Sequence, residues 1–410
     1  MKVLRKDLHR KPAPTGVREP VQDILNEVRQ EGDRAVLRYT ARFDRAELEP
    51  AELTVSPQDI EASIGVLEPE VLRGLRTAIA NVHAVVEAQL RDPVSIDLPE
   101  GQRVEISEVP VVRAGIYAPG GRAAYPSTVV MGAVTAKVAG VEQVAVCAPP
   151  GPAGRAHPVI LAACALCGVT EVYRMGGAQA IGALAFGTES VRAVDVIAGP
   201  GNSYVQEAKR QVVGRVGIDG IAGPSELVVV ASKGADPELV AIDLLAQAEH
   251  GPESLVAVIA TDRPLLDRIV AHVEKLAPQR PSVTAGELQA SYEENPRTAL
   301  WVAETLAPEH LQLVGAEAEA LADRVRTAGC VFVGNAAGTA FGDYVAGSNH
   351  VLPTGGAARF QSALSAATFR RRMARVTLPE GAAGRLAPAG AALARAEGFP
   401  VHAESMERRA

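Results

Sequence analysis

Apolar positions recur at three- and four-residue spacing along residues 20 to 39 and 69 to 90, the second stretch carrying Val71, Leu72, Leu75, Ile79, Val82 and Val86. This spacing predicts two amphipathic helices. Between them Ser56-Pro57-Gln58-Asp59 predicts a helix start, with Ser56 as N-cap and Pro57 in the first turn. From about residue 104 the pattern changes to short apolar runs, each followed by a glycine-rich turn and a helical stretch. That alternation predicts a parallel α/β sheet. Strands are expected at residues 115–117, 143–147, 171–174, 193–197, 227–231, 255–260 and 331–333, with helices beginning near Ser127, Pro158, Ala178, Ser203, Pro237, Pro264 and Glu317. The expected fold class is α/β, with two Rossmann-like parallel-sheet lobes. After His350 the chain passes Gly355-Gly356, the Arg370-Arg371-Arg372 run and an Ala-rich helix near 388–397. Such a tail is too small to hold its own core, so it is expected to pack on another domain or another subunit.

Composition narrows the function classes. The 410 residues are 47% hydrophobic, which suits two or three domains with substantial cores. Lys and Arg total 41 against 48 Asp and Glu, a net charge of -7 that argues against nucleic acid or an anionic membrane as the main partner. The first residues, Met1 to Lys6, lack the apolar core of a signal peptide, and no run of eighteen apolar residues occurs, so a cytoplasmic location is expected. Four cysteines, at 147, 164, 167 and 330, are too few for a disulfide framework. Cys164-Ala165-Leu166-Cys167 lies in an apolar helical run without a second cysteine pair, so both thiols are expected as small buried hydrophobes.

Three glycine-rich turns follow strands: Ala118-Pro119-Gly120-Gly121, Met175-Gly176-Gly177-Ala178-Gln179 and Ala198-Gly199-Pro200-Gly201-Asn202-Ser203. Their glycines let backbone approach a phosphate, and the amides of the next helix favour an anion; a sharp corner with no ligand is the other reading of each turn. Ser203 and Gln206 have capping-box spacing, while Tyr204 stands where a dinucleotide fingerprint has its third glycine. Of the histidines, His9, His83, His157 and His272 are expected to be structural. The others sit in polar surroundings. Gln247 and His250 share one face near a helix end, Glu309-His310 precedes an apolar run, Asp343 and His350 bracket a loop, and His402 is in the tail. Imidazole, carboxylate and amide oxygen suit zinc in a site with room for substrate; hydrogen-bonded structural histidines are the competing account.

Seven segments in order carry a family resemblance: residues 115–121, 176–181, 197–202, 222–226, 247–251, 308–311 and 349–354. Gly115-Ile116-Tyr117-Ala118-Pro119-Gly120-Gly121, Gln247-Ala248-Glu249-His250-Gly251 and Asn349-His350-Val351-Leu352-Pro353-Thr354 closely resemble the histidinol dehydrogenase family. The resemblance implies a soluble, NAD-dependent enzyme that oxidises L-histidinol through L-histidinal to L-histidine, with one Zn2+ per subunit. It implies Gln247, His250, Asp343 and His402 as zinc ligands, His402 coming from the partner subunit of an intertwined homodimer. Glu309 and His310 are the implied catalytic pair. Ser225, His350 and Glu397 would join the zinc ligands and His310 in holding substrate, and Tyr117, Gln179 and Asn202 would contact NAD. Two incomplete Rossmann-like lobes resembling the aldehyde dehydrogenase fold are implied, with boundaries expected as a 1–16 arm, a first lobe of 17–117 and 226–362, a second lobe of 118–225, and a 363–410 tail packing on the partner subunit. In the implied mechanism His310, a histidine of near-neutral pKa, takes the hydroxyl proton and Glu309 activates the water that hydrates the aldehyde. Three rival readings are a zinc- and NAD-dependent relative acting on another small polyol or sulfonated diol, a cysteine-based aldehyde dehydrogenase using Cys330, and a non-enzymatic binding scaffold.

Overall fold

A computed structural model describes residues 1–4, 8–10, 16–120, 123–283 and 286–410. Gly121 of the first glycine-rich turn and residues 5–7 and 11–15 of the expected N-terminal arm lie outside the described residues. The chain divides into two compact units, Met1–Ala88 with Val112–Phe369, and Gln89–Val111 with Arg370–Ala410.

The larger unit holds two sheets. One has six strands, all parallel, in the order β1 (Lys2–Leu4), β11 (Glu287–Tyr292), β10 (Leu255–Ala260), β9 (Glu226–Ala231), β12 (His310–Val314) and β13 (Cys330–Val333). The other has five, also all parallel, ordered β6 (Glu171–Arg174), β5 (Gln143–Ala148), β4 (Arg113–Tyr117), β7 (Val196–Ala198) and β8 (Gly217–Ile218). Helices cover both faces of a parallel sheet, which is why β10, and β9 after Glu226, read as unbroken apolar runs, and both strands are buried at every position. Each fully buried Val or Leu among them contributes about 1.5–3 kcal/mol.

Two expectations need correction. Residues 20–39 do not form one helix. Arg18–Glu31 ends at Gly32, whose φ of 58° breaks the chain direction, and Asp33–Asp44 begins a second helix. The apolar period hides this break because both helices bury their stripes in one cluster, Val21, Ile24 and Val28 from the first and Val36 and Tyr39 from the second. The Glu189 carboxylate accepts from Asp33 N at 2.8 Å, and a Cβ at Gly32 would collide with it. The second correction concerns the lobes. β4 belongs to the five-stranded sheet, between β5 and β7, and the two helices of residues 18–44 pack in that sheet's core. Residues 17–117 therefore do not join 226–362, because a boundary placed at a glycine turn severs a strand from its own sheet.

The smaller unit is antiparallel. β14 (Arg370–Thr377) pairs with β3 (Arg103–Pro110), which pairs with β2 (Val94–Asp97). The Arg370-Arg371-Arg372 run lies on β14, where Arg370 and Arg372 approach Glu108 at 3.7 and 3.5 Å. Helices Ala382–Ala396 and Pro400–Glu407 follow, closed on a small cluster of Ala391, Ala394 and Ala403. Among the described residues, no helix is long and apolar enough to cross a membrane.

Candidate functional site

Parallel register aligns the first residues of neighbouring strands. His310 pairs with Leu227 on one side and with Cys330 on the other, so Ser225-Glu226, Glu309-His310 and Cys330 share the N-terminal edge of the six-stranded sheet. Ala307, a non-glycine residue at φ 43°, makes the turn into Pro308-Glu309-His310. Helix Pro237–Ala248, capped by Asp236, runs back from the far end of β9 and returns Gln247 and His250 to the same edge. The short helix Thr339–Tyr344 after β13 brings Asp343, and His350 follows. Ser225, His250, Glu309, His310, Asp343 and His350 all line one cavity of about 390 Å3.

Hydrogen bonds lock the pair in place. Glu309 Oε2 accepts from Ser225 Oγ at 2.6 Å and from Glu226 N at 2.8 Å. Gln247, which is buried but does not line the cavity, donates through Nε2 to Ser225 Oγ at 2.8 Å. The Glu226 carboxylate accepts from Glu309 N at 3.2 Å and is itself held by Arg10 Nε at 2.5 Å. His310 Nδ1 lies 3.1 Å from Glu226 O and 3.5 Å from Glu309 Oε2, while Nε2 is 3.5 Å from Asp343 Oδ1. A backbone carbonyl only accepts, so Nδ1 carries a proton and Nε2 is the atom free to exchange one. His350 Nδ1 donates to Asp343 O at 2.8 Å, with Thr128 Oγ1 3.4 Å from Nε2.

Burial and charge set the protonation states. Burial pushes the Glu309 carboxyl above its usual range, against the pull of His310, Ser225 and the Glu226 amide. For His310, burial favours the neutral ring, but the Glu309 and Asp343 carboxylates outweigh it and hold its pKa up to about 9. Two carboxylates distant along the chain thus converge on this ring and favour its charged form. Burial opposes ionisation of Asp343, yet the His310 hydrogen bond and charge, with His350 and His250, keep its carboxyl below the usual range. Burial lowers both His250 and His350 and so favours neutral imidazole.

This donor set fits a divalent cation chemically. Neutral His250 and ionised Asp343 are ligand forms, and Gln247, with its nitrogen committed to Ser225, has its oxygen left to offer. Among the described residues, no group of three His, Cys, Asp or Glu side chains is disposed to hold a metal. Of the expected residues, Glu397 and His402 belong to the smaller unit, where both are exposed, Glu397 ending one helix and His402 lying in the next.

The five-stranded sheet offers its opposite, C-terminal edge. β4 and β7 are neighbours whose connections leave in opposite directions, and the crevice beyond such a switch point is where α/β sheets bind nucleotides. Gly199, at φ 128°, closes the crevice so tightly that a Cβ would meet Tyr117 O, a position only glycine accepts. Buried Lys209 pairs with Asp219 and donates to Gly199 O at 3.0 Å, while Asp219 Oδ2 accepts from Gly199 N at 2.8 Å. Tyr117, Gln179 and Asn202 all line a second cavity of about 430 Å3, which shares Gly120 and Asn202 with the first. The helix cap there is Asn202, not Ser203: its oxygen accepts from Tyr204 N and Val205 N, and Gln206 turns instead to Ala222 N at 2.8 Å. Sequence spacing singles out neither Glu226 nor Asp44, which lines the second cavity. Their roles depend on packing between distant segments, and only the placing of Glu226 beside Ser225 hints at it.

The model of the family described as histidinol dehydrogenase matches residues 9–410. Histidinol dehydrogenase of Gluconobacter oxydans is 44% identical over 401 residues, covering 96% of this chain and 93% of that protein. Histidinol dehydrogenase of Parasynechococcus marenigrum is 44% identical over 397 residues, covering 95% and 90%. The crystal structure of histidinol dehydrogenase from Elizabethkingia anophelis superposes with a TM-score of 0.93 at 32% identity, covering 100% of this chain and 98% of that one. Likeness of sequence across nearly the whole length, matched by likeness of fold, leads to one assignment: the chain belongs to the histidinol dehydrogenase family.

Proposed function

We propose that the protein oxidises L-histidinol through L-histidinal to L-histidine with NAD, the closing steps of histidine biosynthesis. The observation that carries this reading is a pair of cavities that share Gly120 and Asn202 as lining residues, one lined by His310, Glu309 and Asp343 and the other by Tyr117 and Gln179 at a sheet switch point. NAD supplies the hydride acceptor, used twice. Zn2+ held by Gln247, His250, Asp343 and a partner's tail histidine would supply a fixed positive centre for the substrate's amino and imidazole nitrogens, a positioning role. Ser225 and His350 would complete the substrate's surroundings from this chain.

Its own residues move the protons. His310 offers Nε2 for proton exchange, because Nδ1 donates to the Glu226 carbonyl, and Asp343, which would help hold the cation, lies 3.5 Å from that atom. His310 then takes the hydroxyl proton as hydride leaves the alcohol carbon. Glu309, its carboxyl raised by burial and so a ready proton acceptor, draws a proton from water as that water adds to the aldehyde. His310 accepts again as the hydrate loses its hydride. Cys330 takes no part: burial pushes its thiol up, away from the thiolate a cysteine route requires.

Glu397 and His402 enter the proposal from a second copy of the chain, in a homodimer with shared sites; their exposure in their own unit leaves them available for it. A cytoplasmic location is part of the same reading, since all four cysteines are free thiols. Titrating L-histidinol into excess NAD tests the activity. Two NADH released per histidinol is the expected result, and absence of histidinol turnover would overturn it.

A further inference from the structure

Glu226, the first residue of β9, spends its polar groups on the acid–base pair or on what holds that pair. Its N–H donates to Glu309 Oε2 at 2.8 Å, its carbonyl accepts from His310 Nδ1 at 3.1 Å, and its side chain is buried. Each carboxylate oxygen accepts twice: Oε1 from Arg10 Nε at 2.5 Å and Gly355 N at 3.1 Å, Oε2 from Arg10 Nη2 at 3.0 Å and Glu309 N at 3.2 Å. An ionised carboxylate has about four lone-pair sites, and donors fill them all. Arg10 does more than balance this charge. Its Nη2 also donates to Leu306 O and, at 3.3 Å, to Ala307 O, carbonyls at the end of helix Pro296–Leu306 that the helix itself leaves unpaired. Ala307, at φ 43°, is the costly turn that leads into Pro308-Glu309-His310. A Cβ on Gly356 would stand 3.2 Å from Arg10 Nη1, so the Gly355-Gly356 turn packs closely on the same guanidinium. The lining of the catalytic cavity includes neither Arg10 nor Glu226, so any part they play in the chemistry passes through other side chains.

We propose that Arg10 is a positioning residue for the reaction: its guanidinium grips the Glu226 carboxylate and the Leu306-Ala307 turn together, and so fixes Glu309 and His310 in the geometry that proton transfer needs. The inference rests on the acid–base roles proposed above and adds to them a residue from the start of the chain. A planar fork suits the task, because Nε and Nη2 meet the two oxygens of one carboxylate side by side while Nη2 also serves the carbonyls. A lysine ammonium keeps the charge without the fork. In Glu226→Gln one acceptor oxygen becomes an NH2 group, which must face a donor, Gly355 N or Glu309 N, whichever way the amide turns.

The full-length protein, loaded with zinc, is compared with Arg10→Lys, Arg10→Ala, Glu226→Gln and the double variant Arg10→Lys/Glu226→Gln, each checked for fold by circular dichroism and for metal by elemental analysis. In every single variant kcat for NADH release from histidinol should fall by about tenfold to a hundredfold, with KM for histidinol little changed and the metal retained. Both changes break one linkage, so the double variant should lose far less than the product of the two single losses. The Arg10 side chain is 25% exposed, so millimolar guanidinium should restore part of the turnover of Arg10→Ala where equal sodium chloride does not. Should Arg10→Ala not fold, the kcat values and the coupling of the other variants decide alone. Parent-like kcat in Arg10→Lys and Glu226→Gln, losses that multiply in the double variant, a loss matched by lost metal, or a folded Arg10→Ala protein that guanidinium leaves unmoved would overturn the role of Arg10. An unsubstituted protein that turns over no histidinol would instead overturn the activity reading and this inference with it.

Discussion

His310 and His250 line one cavity, yet their surroundings drive them to opposite charge: carboxylates raise the first to about 9, while burial lowers the second. Removing them should therefore do different things. His310→Ala is expected to retain the bound metal and lose about 10²- to 10⁴-fold in turnover, the usual worth of a general base. His250→Ala should lose metal and activity together. Elemental analysis of the two purified variants, set beside their rates, checks this; a His310→Ala protein as depleted of metal as His250→Ala would refute the division of roles. Asp44 offers a separate test through pH. Burial raises its carboxyl from 3.8 to about 6, so the unfolded chain gives up this proton at lower pH than the folded one. Folding thus loses stability from this group as pH climbs between about 4 and 6, a penalty fully present above that window. Asp44→Asn should match the parent near pH 4 and exceed it near pH 7 by on the order of 1 kcal/mol, after allowance for the carboxyl's partial contact with water. Denaturant unfolding at the two pH values reads the difference, and equal stabilities at pH 7 would contradict it.

Elements were legible where burial writes a simple pattern. β10, and β9 after Glu226, are unbroken apolar runs, and Ser56 caps the helix Pro57–Ala62 through Asp59 N at 3.1 Å as its residue type demands. β14 gave no such signal, because an exposed strand carrying Arg370, Arg371, Arg372 and Arg375 has no apolar face to reveal a period of two. The Asp33–Asp44 helix was hidden for a different reason: Gly32 interrupts the backbone without interrupting the stripe. The site shows the same contrast. Glu309 and His310 stand out as polar residues at the start of a buried strand, whereas the protonation of His310 depends also on Asp343, which sequence distance conceals. Helix Ser203–Val212 carries a prediction at this scale. Its Lys209 is 1% exposed, and with Asp219 it clamps both backbone groups of Gly199. Lys209→Met would leave the Asp219 carboxylate buried beside an apolar chain, at a cost of about 3–5 kcal/mol. A fall of that size in thermal or denaturant stability, with weaker NAD binding in whatever remains folded, is expected; a variant as stable as the parent would show that the clamp is dispensable.

At the scale of the molecule, two parallel sheets use opposite edges. The five-stranded sheet presents the C-terminal ends of β4 and β7, where a glycine turn and helix amides suit a dinucleotide. The six-stranded sheet presents the N-terminal ends of β9, β12 and β13, which no glycine signature marks, and there the acid–base residues gather. Within this larger unit the expected ligands Gln247, His250 and Asp343 supply one amide, one imidazole and one carboxylate, so a four-ligand zinc site still needs a donor. His402, exposed on a helix of the smaller unit, is the donor the homodimer proposal provides. Shared sites have an arithmetic consequence. A Gln247→Ala chain has a sound His402, and a His402→Ala chain has a sound Gln247, so each is inactive alone. In a mixed two-fold dimer one site receives both defects and the other receives neither, and random exchange of subunits should return about a quarter of the parent's active sites. Denaturing the two variants together, refolding them and measuring NADH release would show this recovery. Refolding that yields mixed dimers by mass but no activity would mean that every site is built within a single chain, and His402 would then have to be withdrawn as a ligand from the partner.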